Sequence, residues 1–338
     1  HASRVDASCK GFPPAAAPMM LQEIGQQGWS LLDGRLPLPV AVLRDDAIRN
    51  NSAWMRAFLE HFGAKLAPHG KTTMAPQLFE RQLADGAWAI TVATLQQFEI
   101  CRRFAVPRIL IANQVVGTLE IDVLLRALSQ PDGPEVYVLA DSIAGVQALG
   151  NAARRHELVR PLNVLVEGGH AGGRTGARTV AEVQEVARAV SAYGPKLHLS
   201  GIEGYEGEIS AGTQKETEER VFQFLDFLVD ATKACDGEAL FPGDQIVLSA
   251  GGSGFFDLVA RRFSEAELTK PVELVVRSGC YLTHDSHHFE QMFQAVQRRT
   301  TEARDVQGKL LPAIEVWAYV QSAPEAGLAI LTVGTRDI

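Results

Sequence analysis

From residue 64 onward the chain alternates between two patterns without interruption. Eight short apolar runs, at 64–68, 88–93, 108–112, 135–140, 162–166, 196–202, 245–249 and 272–276, read as strands. The gaps between them hold amphipathic stretches at 76–84, 95–104, 118–129, 143–156, 180–193, 213–234 and 255–263, each with helical spacing. The runs are nearly continuous in apolar residues, as strands covered on both faces are. Parallel strands need a crossover between them, and a helix in every gap supplies it. Eight strands joined in this way predict an α/β chain with a (β/α)8 TIM barrel, and after that an open doubly wound sheet. The barrel is favoured because candidate functional residues follow many different strands. An open sheet would gather them at one switch point.

The flanks follow other rules. Residues 36–43 read as a strand entered through prolines. Asp45 and Asp46 can cap a helix over 47–62, in which Ile48, Met55, Phe58 and Leu59 recur on one face. After Tyr281 the alternation stops. Residues 284–299 are polar and read as a helix, and 310–319 and 327–333 look like alternating strands separated by turns. The division expected is an N-terminal extension at 1–35, a barrel at 36–285 and the start of a C-terminal β-rich domain at 286–338. The strand at 36–43 is a candidate member of that last domain. Two or three strands cannot close a core of their own, so the β domain is expected to be incomplete at Ile338.

The 338-residue chain carries 32 basic and 40 acidic residues, a net charge of −8, with no basic cluster along any segment. This argues against nucleic acid as a partner. No apolar run is long enough for a bilayer, and the Pro/Ala-rich start lacks the compact apolar core of a signal peptide. Cys9, Cys101, Cys235 and Cys280 form no CxxC pair, as expected for reduced thiols in a cytoplasmic protein.

In a barrel the site forms at the C-terminal ends of the strands. After the first comes Pro68-His69-Gly70-Lys71-Thr72. A lysine sequestered behind such a turn loses its proton easily, and the neutral amine attacks carbonyls, so a Schiff base is the chemistry to expect. The alternative is an ordinary exposed loop lysine. After the seventh strand, Gly251-Gly252-Ser253-Gly254 opens a helix and aims backbone N–H groups at one spot, a phosphate cradle. By itself that loop is more often a plain turn than a phosphate site. Together with the lysine it points to pyridoxal phosphate. Arg174, in a glycine-dense loop, could orient a carboxylate or cofactor oxygen, or form an ion pair with Glu167 or Glu203. Tyr205 could bond the cofactor ring or cap the barrel mouth. His69 could serve in acid–base chemistry or hold the turn, and His170 is a weaker candidate. Thr94 and Asn113 could satisfy strand-end backbone groups. The run His284-Asp285-Ser286-His287-His288 lacks the spacing of a helical zinc site and reads as a solvated segment.

These motifs, in this order, resemble the D-threonine aldolase and D-serine dehydratase family, which are alanine-racemase-like, fold-type III pyridoxal phosphate enzymes. The matching segments are Pro68–Thr72, Arg174-Thr-Gly176, Gly204-Tyr205-Glu206-Gly207, Ser249–Gly254 and Arg277-Ser-Gly279-Cys280-Tyr281. With Asn113-Gln114-Val-Val-Gly117 added, the run is similar to the amino acid deaminase (D-serine deaminase-like) branch. The resemblance implies that Lys71 forms the internal aldimine; His69 beside it is a catalytic candidate on the residues alone. The resemblance also implies that Tyr205 approaches the pyridine nitrogen, and that Gly252, Ser253, Gly254, Gly279, Cys280 and Tyr281 bind the phosphate. Thr94 and Arg174 complete the expected cofactor contacts. Family members hold a divalent metal, zinc or manganese, on His and Cys or Asp of the β domain. No matching pair occurs in this chain, and the ligands would lie beyond Ile338. A further departure is Ala67, where aldolase relatives often carry Arg.

The activity implied is a lyase that deaminates D-3-hydroxy amino acids such as D-serine to a keto acid and ammonia. Aldol cleavage of D-threonine is the near alternative. Rivals of another kind are a non-catalytic pyridoxal phosphate carrier and a cofactor-free aldolase in which Lys71 attacks substrate directly. The family also implies a homodimer.

Overall fold

The structure is a computed structural model in which residues 3–335 and Asp337 are described. The chain divides into two compact units. The larger, Asn51–Leu282 with Ser286–Leu310, is the barrel. Its strands are β1 (Lys65–Leu66), β2 (Ile90–Val92), β3 (Arg108–Gln114), β4 (Glu135–Ala140), β5 (Leu162–Gly168), β6 (Leu197–Gly204), β7 (Ile246–Ala250) and β8 (Val272–Val276). Between them lie α1 (Pro76–Ala84), α2 (Leu95–Arg103), α3 (Thr118–Leu128), α4 (Ile143–Ala153), α5 (Val180–Ser191), α6 (Gln214–Gly237) and α7 (Phe256–Ser264). All strand pairs are parallel, in the order β1-β8-β7-β6-β5-β4-β3-β2. The ring closes where Trp88 and Thr91 donate to the carbonyls of Leu66 (2.7 Å) and Pro68 (2.9 Å). A parallel bridge between His69 and Thr91 continues that seam.

β1 is shorter than its apolar run because Pro68 has no N–H to offer the ladder. Inside the barrel, Ala67, Ala89 and Ala112 pack beside Leu110, Tyr137, Leu139, Leu165, Val247 and Val275. Small residues next to large ones fill a closed barrel without a pore. Helix starts follow ordinary capping. Thr94, Ser142, Thr179 and Thr213 each accept an N–H from the first turn of α2, α4, α5 and α6.

A helix at His288–Arg299, α8 here, also belongs to the barrel unit and not to a β domain beginning at 286. Its buried Phe289, Phe293 and Val296 recur every three or four residues among polar neighbours. Phe293 meets Trp54 edge-on at 4.9 Å, and Trp54 stacks on Phe58 at 5.5 Å. Arg299 then donates to both Asp257 oxygens (2.8 and 2.5 Å) and to the Gly254 carbonyl (2.6 Å), which ties this helix to the β7–α7 loop.

The smaller unit comprises residues to Asn50, Thr283–Asp285 and the chain from Leu311. Val40–Leu43 pairs antiparallel with Ile314–Trp317, and Val320–Glu325 forms a hairpin with Leu328–Leu331. Among the described residues no helix is long and apolar enough to cross a membrane.

Candidate active site

β1 hands the chain through Ala67-Pro68-His69 into a single 3-10 turn, Gly70–Thr72, before α1 begins at Pro76. Two glycines allow this turn to sit where it does. A Cβ on Gly70 would stand 2.9 Å from the Ile90 and Phe79 side chains. One on Gly279, in the loop after β8, would stand 2.6 Å from Thr72 Oγ1 and 2.7 Å from the His69 carbonyl. Gly279→Ala is therefore expected to push the lysine turn outward and to destabilise the protein by about 1–3 kcal/mol, the usual cost of overpacking. Urea midpoints check this. An unchanged midpoint would mean that the two loops part freely.

Lys71 itself is exposed at the rim, so burial is not what would activate it. It borders a cavity of about 130 Å³ at the C-terminal mouth of the barrel, together with His69, Asn113, Glu167, Arg174, Glu203, Tyr205 and Arg277. His69 holds Nδ1 buried without a partner. Burial, then Arg277, Lys71 and Arg174, push its pKa well below the usual histidine value. It is a neutral imidazole at neutral pH. Unfolding restores an ordinary histidine, so the unfolded chain binds the extra proton and acid favours it. Relative to His69→Gln, the wild type is expected to lose about 1.4 kcal/mol of stability per pH unit as pH falls below 6.5. Denaturation at pH 7 and pH 5 measures this, and parallel pH profiles would contradict it.

Across the cavity Arg277, 2% exposed, bonds the Glu203 carboxylate and donates to the Gly204 carbonyl at 2.8 Å. Its Nε and Glu203 Oε1 remain buried and unpartnered. Burial pushes Glu203 up to about 7 against the pull of Arg277, with Glu167 and Glu206 adding to the rise. Glu167 organises the next sector. It accepts from Gln114 at the end of β3 and from Thr175 Oγ1 at 2.8 Å. Arg178 closes the Arg174 loop by donating to the carbonyls of Thr175 (2.5 Å) and Gly173 (2.9 Å). Gly176 sits at φ +96° with Gly169 N only 2.5 Å from where a Cβ would be, so the turn requires glycine there. Arg174 thus stands exposed at the mouth, 3.3 Å from Asn113 Oδ1 and 6.0 Å from the Tyr205 ring centre. It makes no ion pair with Glu167 or Glu203, which have other partners.

The β7–α7 loop starts at Gly251 (φ +144°), where a Cβ would meet the Arg277 N at 2.7 Å. Ser253 Oγ accepts from Cys280 N–H at 3.3 Å, so the loops after β7 and β8 are joined. Ser278 Oγ lies buried and unpartnered beside them. Gly252 N–H is bonded to the buried Glu206 carboxyl at 2.6 Å.

Of the residues singled out in the sequence, Lys71, His69, Arg174 and Tyr205 line one cavity, and Gly252, Ser253, Gly254, Gly279 and Cys280 lie in the adjoining pair of loops. Two differ from expectation. Thr94 Oγ1 accepts Gln97 N–H at 3.3 Å as the cap of α2, and its neighbour Ala93 lines the cavity instead. Tyr281 is buried with its hydroxyl accepting from Gln82 at 3.4 Å, so its phenol faces α1 and not the cavity. His170 borders a separate cleft of about 600 Å³ with Arg178, Arg220, Phe224 and Phe227. The sequence offered Glu203 only as an ion-pair partner for Arg174, and Glu206 and Arg277 only as members of the matching segments. The available signal was two glutamates among glycines at the end of a buried strand, in Gly201-Ile-Glu203-Gly-Tyr-Glu206-Gly207. Among the described residues, no three His, Cys, Asp or Glu side chains come together as a metal site.

No protein-family model matches this chain, and no curated protein matches it. Solved structures do. D-threonine aldolase from Filomicrobium marinum is similar with a TM-score of 0.72 at 23% identity, over 89% of this chain and 74% of that one. D-threo-3-hydroxyaspartate dehydratase from Delftia sp. HT23 gives 0.62 at 22%, over 84% and 68%. A lysine/ornithine decarboxylase complexed with cadaverine, from Vibrio vulnificus, gives 0.55 at 15%, over 78% and 65%. The chain has the barrel fold that these proteins share.

Proposed function

We propose that this chain is a pyridoxal-phosphate-dependent lyase acting on D-3-hydroxy amino acids, with deamination to a keto acid and ammonia as the favoured reaction. The observation that carries the reading is the placement of an accessible amine, Lys71, on a cavity where His69 and Arg277 keep ring and guanidinium nitrogens buried and unpartnered. Buried polar atoms without partners are uncommon and call for a polar ligand. The residues fit the cofactor. Lys71 Nζ would hold its aldehyde, Arg277 and Tyr205 border the space for its ring, and the glycine loop with Ser253 and Ser278 would take its phosphate. Bound there, pyridoxal phosphate supplies an electron sink for a carbanion at Cα.

The chain's own residues supply the remainder. Lys71 Nζ, when not bonded to the cofactor, would be the amine that takes the α-proton. Arg174, exposed beside Asn113, is placed to bond a carboxylate as it enters. Arg277, fixed by Glu203, holds a permanent positive charge at the cavity floor. In deamination the β-hydroxyl departs with a proton as water, and the aminoacrylate left behind hydrolyses to keto acid and ammonia. The described residues offer no metal donor set, and no step is assigned to a metal.

D-threonine aldol cleavage is the second reading, favoured by the higher TM-score to the aldolase structure. The test is to load the protein with pyridoxal phosphate, reduce with borohydride and map the modified peptide. D-serine, D-threonine and D-threo-3-hydroxyaspartate are then assayed for keto acid and ammonia against glycine and aldehyde. Adduct on Lys71 with keto acid formed is the expected result. Glycine and aldehyde would select the aldolase, adduct without turnover a carrier, and absence of adduct would overturn the cofactor.

A further inference from the structure

Glu206 is the least expected group near the β7–α7 loop. It lies wholly buried, with Oε1 on Gly252 N–H at 2.6 Å and Oε2 without a partner. Gly252 is also the position at which the loop can pack against the turn after β6. A Cβ there would stand 3.2 Å from Gly207 Cα and 3.5 Å from Glu206 Oε1. A carboxylate accepting a backbone N–H at the mouth of a helix does what a phosphate oxygen does in such a loop. The two cannot share the place as anions, since like charges a few ångströms apart in a buried site repel strongly.

We propose that the Glu206 carboxyl is the protein's own occupant of the phosphate site, so that a phosphate monoester binding at the β7–α7 loop takes up one solvent proton at Glu206. This rests on the reading of that loop as a phosphate cradle. The groups that face Glu206 are Arg277 from the end of β8, Glu203 from β6, Tyr205 from its own turn, and the N–H groups of Gly251 and Gly252. Burial raises its pKa more strongly than these hydrogen bonds and Arg277 lower it, so protonation is within reach. The balance is simple. The ester enters as the dianion, one proton comes from solvent to a Glu206 oxygen, and the neutral acid can then donate to the phosphate or to a backbone carbonyl. Without ligand, Glu206 keeps the loop in its binding conformation.

The test uses 4′-deoxypyridoxine 5′-phosphate, which lacks the aldehyde and so cannot react with Lys71. Calorimetry in two buffers of different ionisation enthalpy counts the protons taken up, in wild type and in Glu206→Gln. Above pH 8 the ester is already a dianion, its second pKa being about 6. Wild type is expected to take up close to one proton, with Kd rising about tenfold per pH unit on the alkaline side. Glu206→Gln, neutral and of the same shape, is expected to lose that uptake and to bind about tenfold or more tightly at pH 9. Proton uptake near zero in wild type, or equal uptake in both proteins, overturns the proposal, as does weaker binding by the variant. Any of these three results would make Glu206 a fixed strut of the loop. The wild-type measurement alone decides if the variant does not fold. Wild-type protein that binds neither this ester nor pyridoxal phosphate overturns the cofactor reading together with the proposal. Binding of both with no proton uptake overturns the proposal alone.

Discussion

Lys71→Ala is expected to reduce lyase turnover by about 10⁴-fold or more at saturating pyridoxal phosphate, while leaving the fold untouched. On the proposed reading, the substitution removes the attachment point for the cofactor aldehyde and the amine that would take the α-proton. General-base loss alone accounts for about 10²–10⁴-fold. The stability side of the prediction follows from exposure. Lys71 stands exposed at the rim of the cavity, and substitutions at such positions change stability by about 0.5 kcal/mol or less. The proposed cradle, by contrast, lies in the loops after β7 and β8, so the variant should still bind the phosphate ester, without the covalent link. Three measurements together are decisive: kcat, borohydride-stable cofactor by mass, and the thermal midpoint. Turnover within tenfold of wild type would place the chemistry on another group. A large loss of stability would show that the turn, and not the amine, is what Lys71 serves.

The barrel was legible because each strand is buried on both faces and each crossover is amphipathic, so composition and topology agree along the chain. Leu110, Leu139, Leu165, Val247 and Val275 announce strands wherever they occur. What escaped lies where that agreement fails. Val320–Glu325 reads as a polar loop because every one of its side chains is exposed, and its pairing with Leu328–Leu331 leaves no burial pattern to detect. The helix His288–Arg299 was visible, but its allegiance was not, since Phe289, Phe293 and Val296 do not announce which core they enter. The site divides in the same way. The glycine loops are readable because backbone close to a ligand, or at positive φ, demands glycine locally. The charges are not, because Arg277 finds Glu203 across 74 positions of sequence. Lys71 was found by its neighbours in sequence, yet its exposure shows that the burial argued for it was the wrong reason.

Arg277→Met should be the most damaging single change at the cavity floor, at about 3–5 kcal/mol, the usual cost of stripping a buried charge of its partner. Arg277 and Glu203 are almost wholly buried, and Arg277 also satisfies the Gly204 carbonyl at 2.8 Å. Their pH dependence distinguishes this pair from ordinary packing. Glu203 is raised from 4.5 to about 7 in the folded protein, so the folded state holds its proton more tightly than the unfolded chain. Its contribution to stability is then fullest below pH 4.5, declines as pH rises to about 7, and is constant above that, a change on the order of 3 kcal/mol. Without Arg277 the carboxyl is raised further. The decline should continue above pH 7 at about 1.4 kcal/mol per pH unit until the new pKa is passed. Adding Glu203→Gln to Arg277→Met removes the titrating group, so the double variant should be more stable at pH 8 than Arg277→Met alone. Urea midpoints for the four proteins at pH 6 and pH 8 close the cycle. Additive effects, equal at both pH values, would mean that the two side chains act independently. A coupling that grows with pH would show that Glu203 holds Arg277 as an ion pair at working pH.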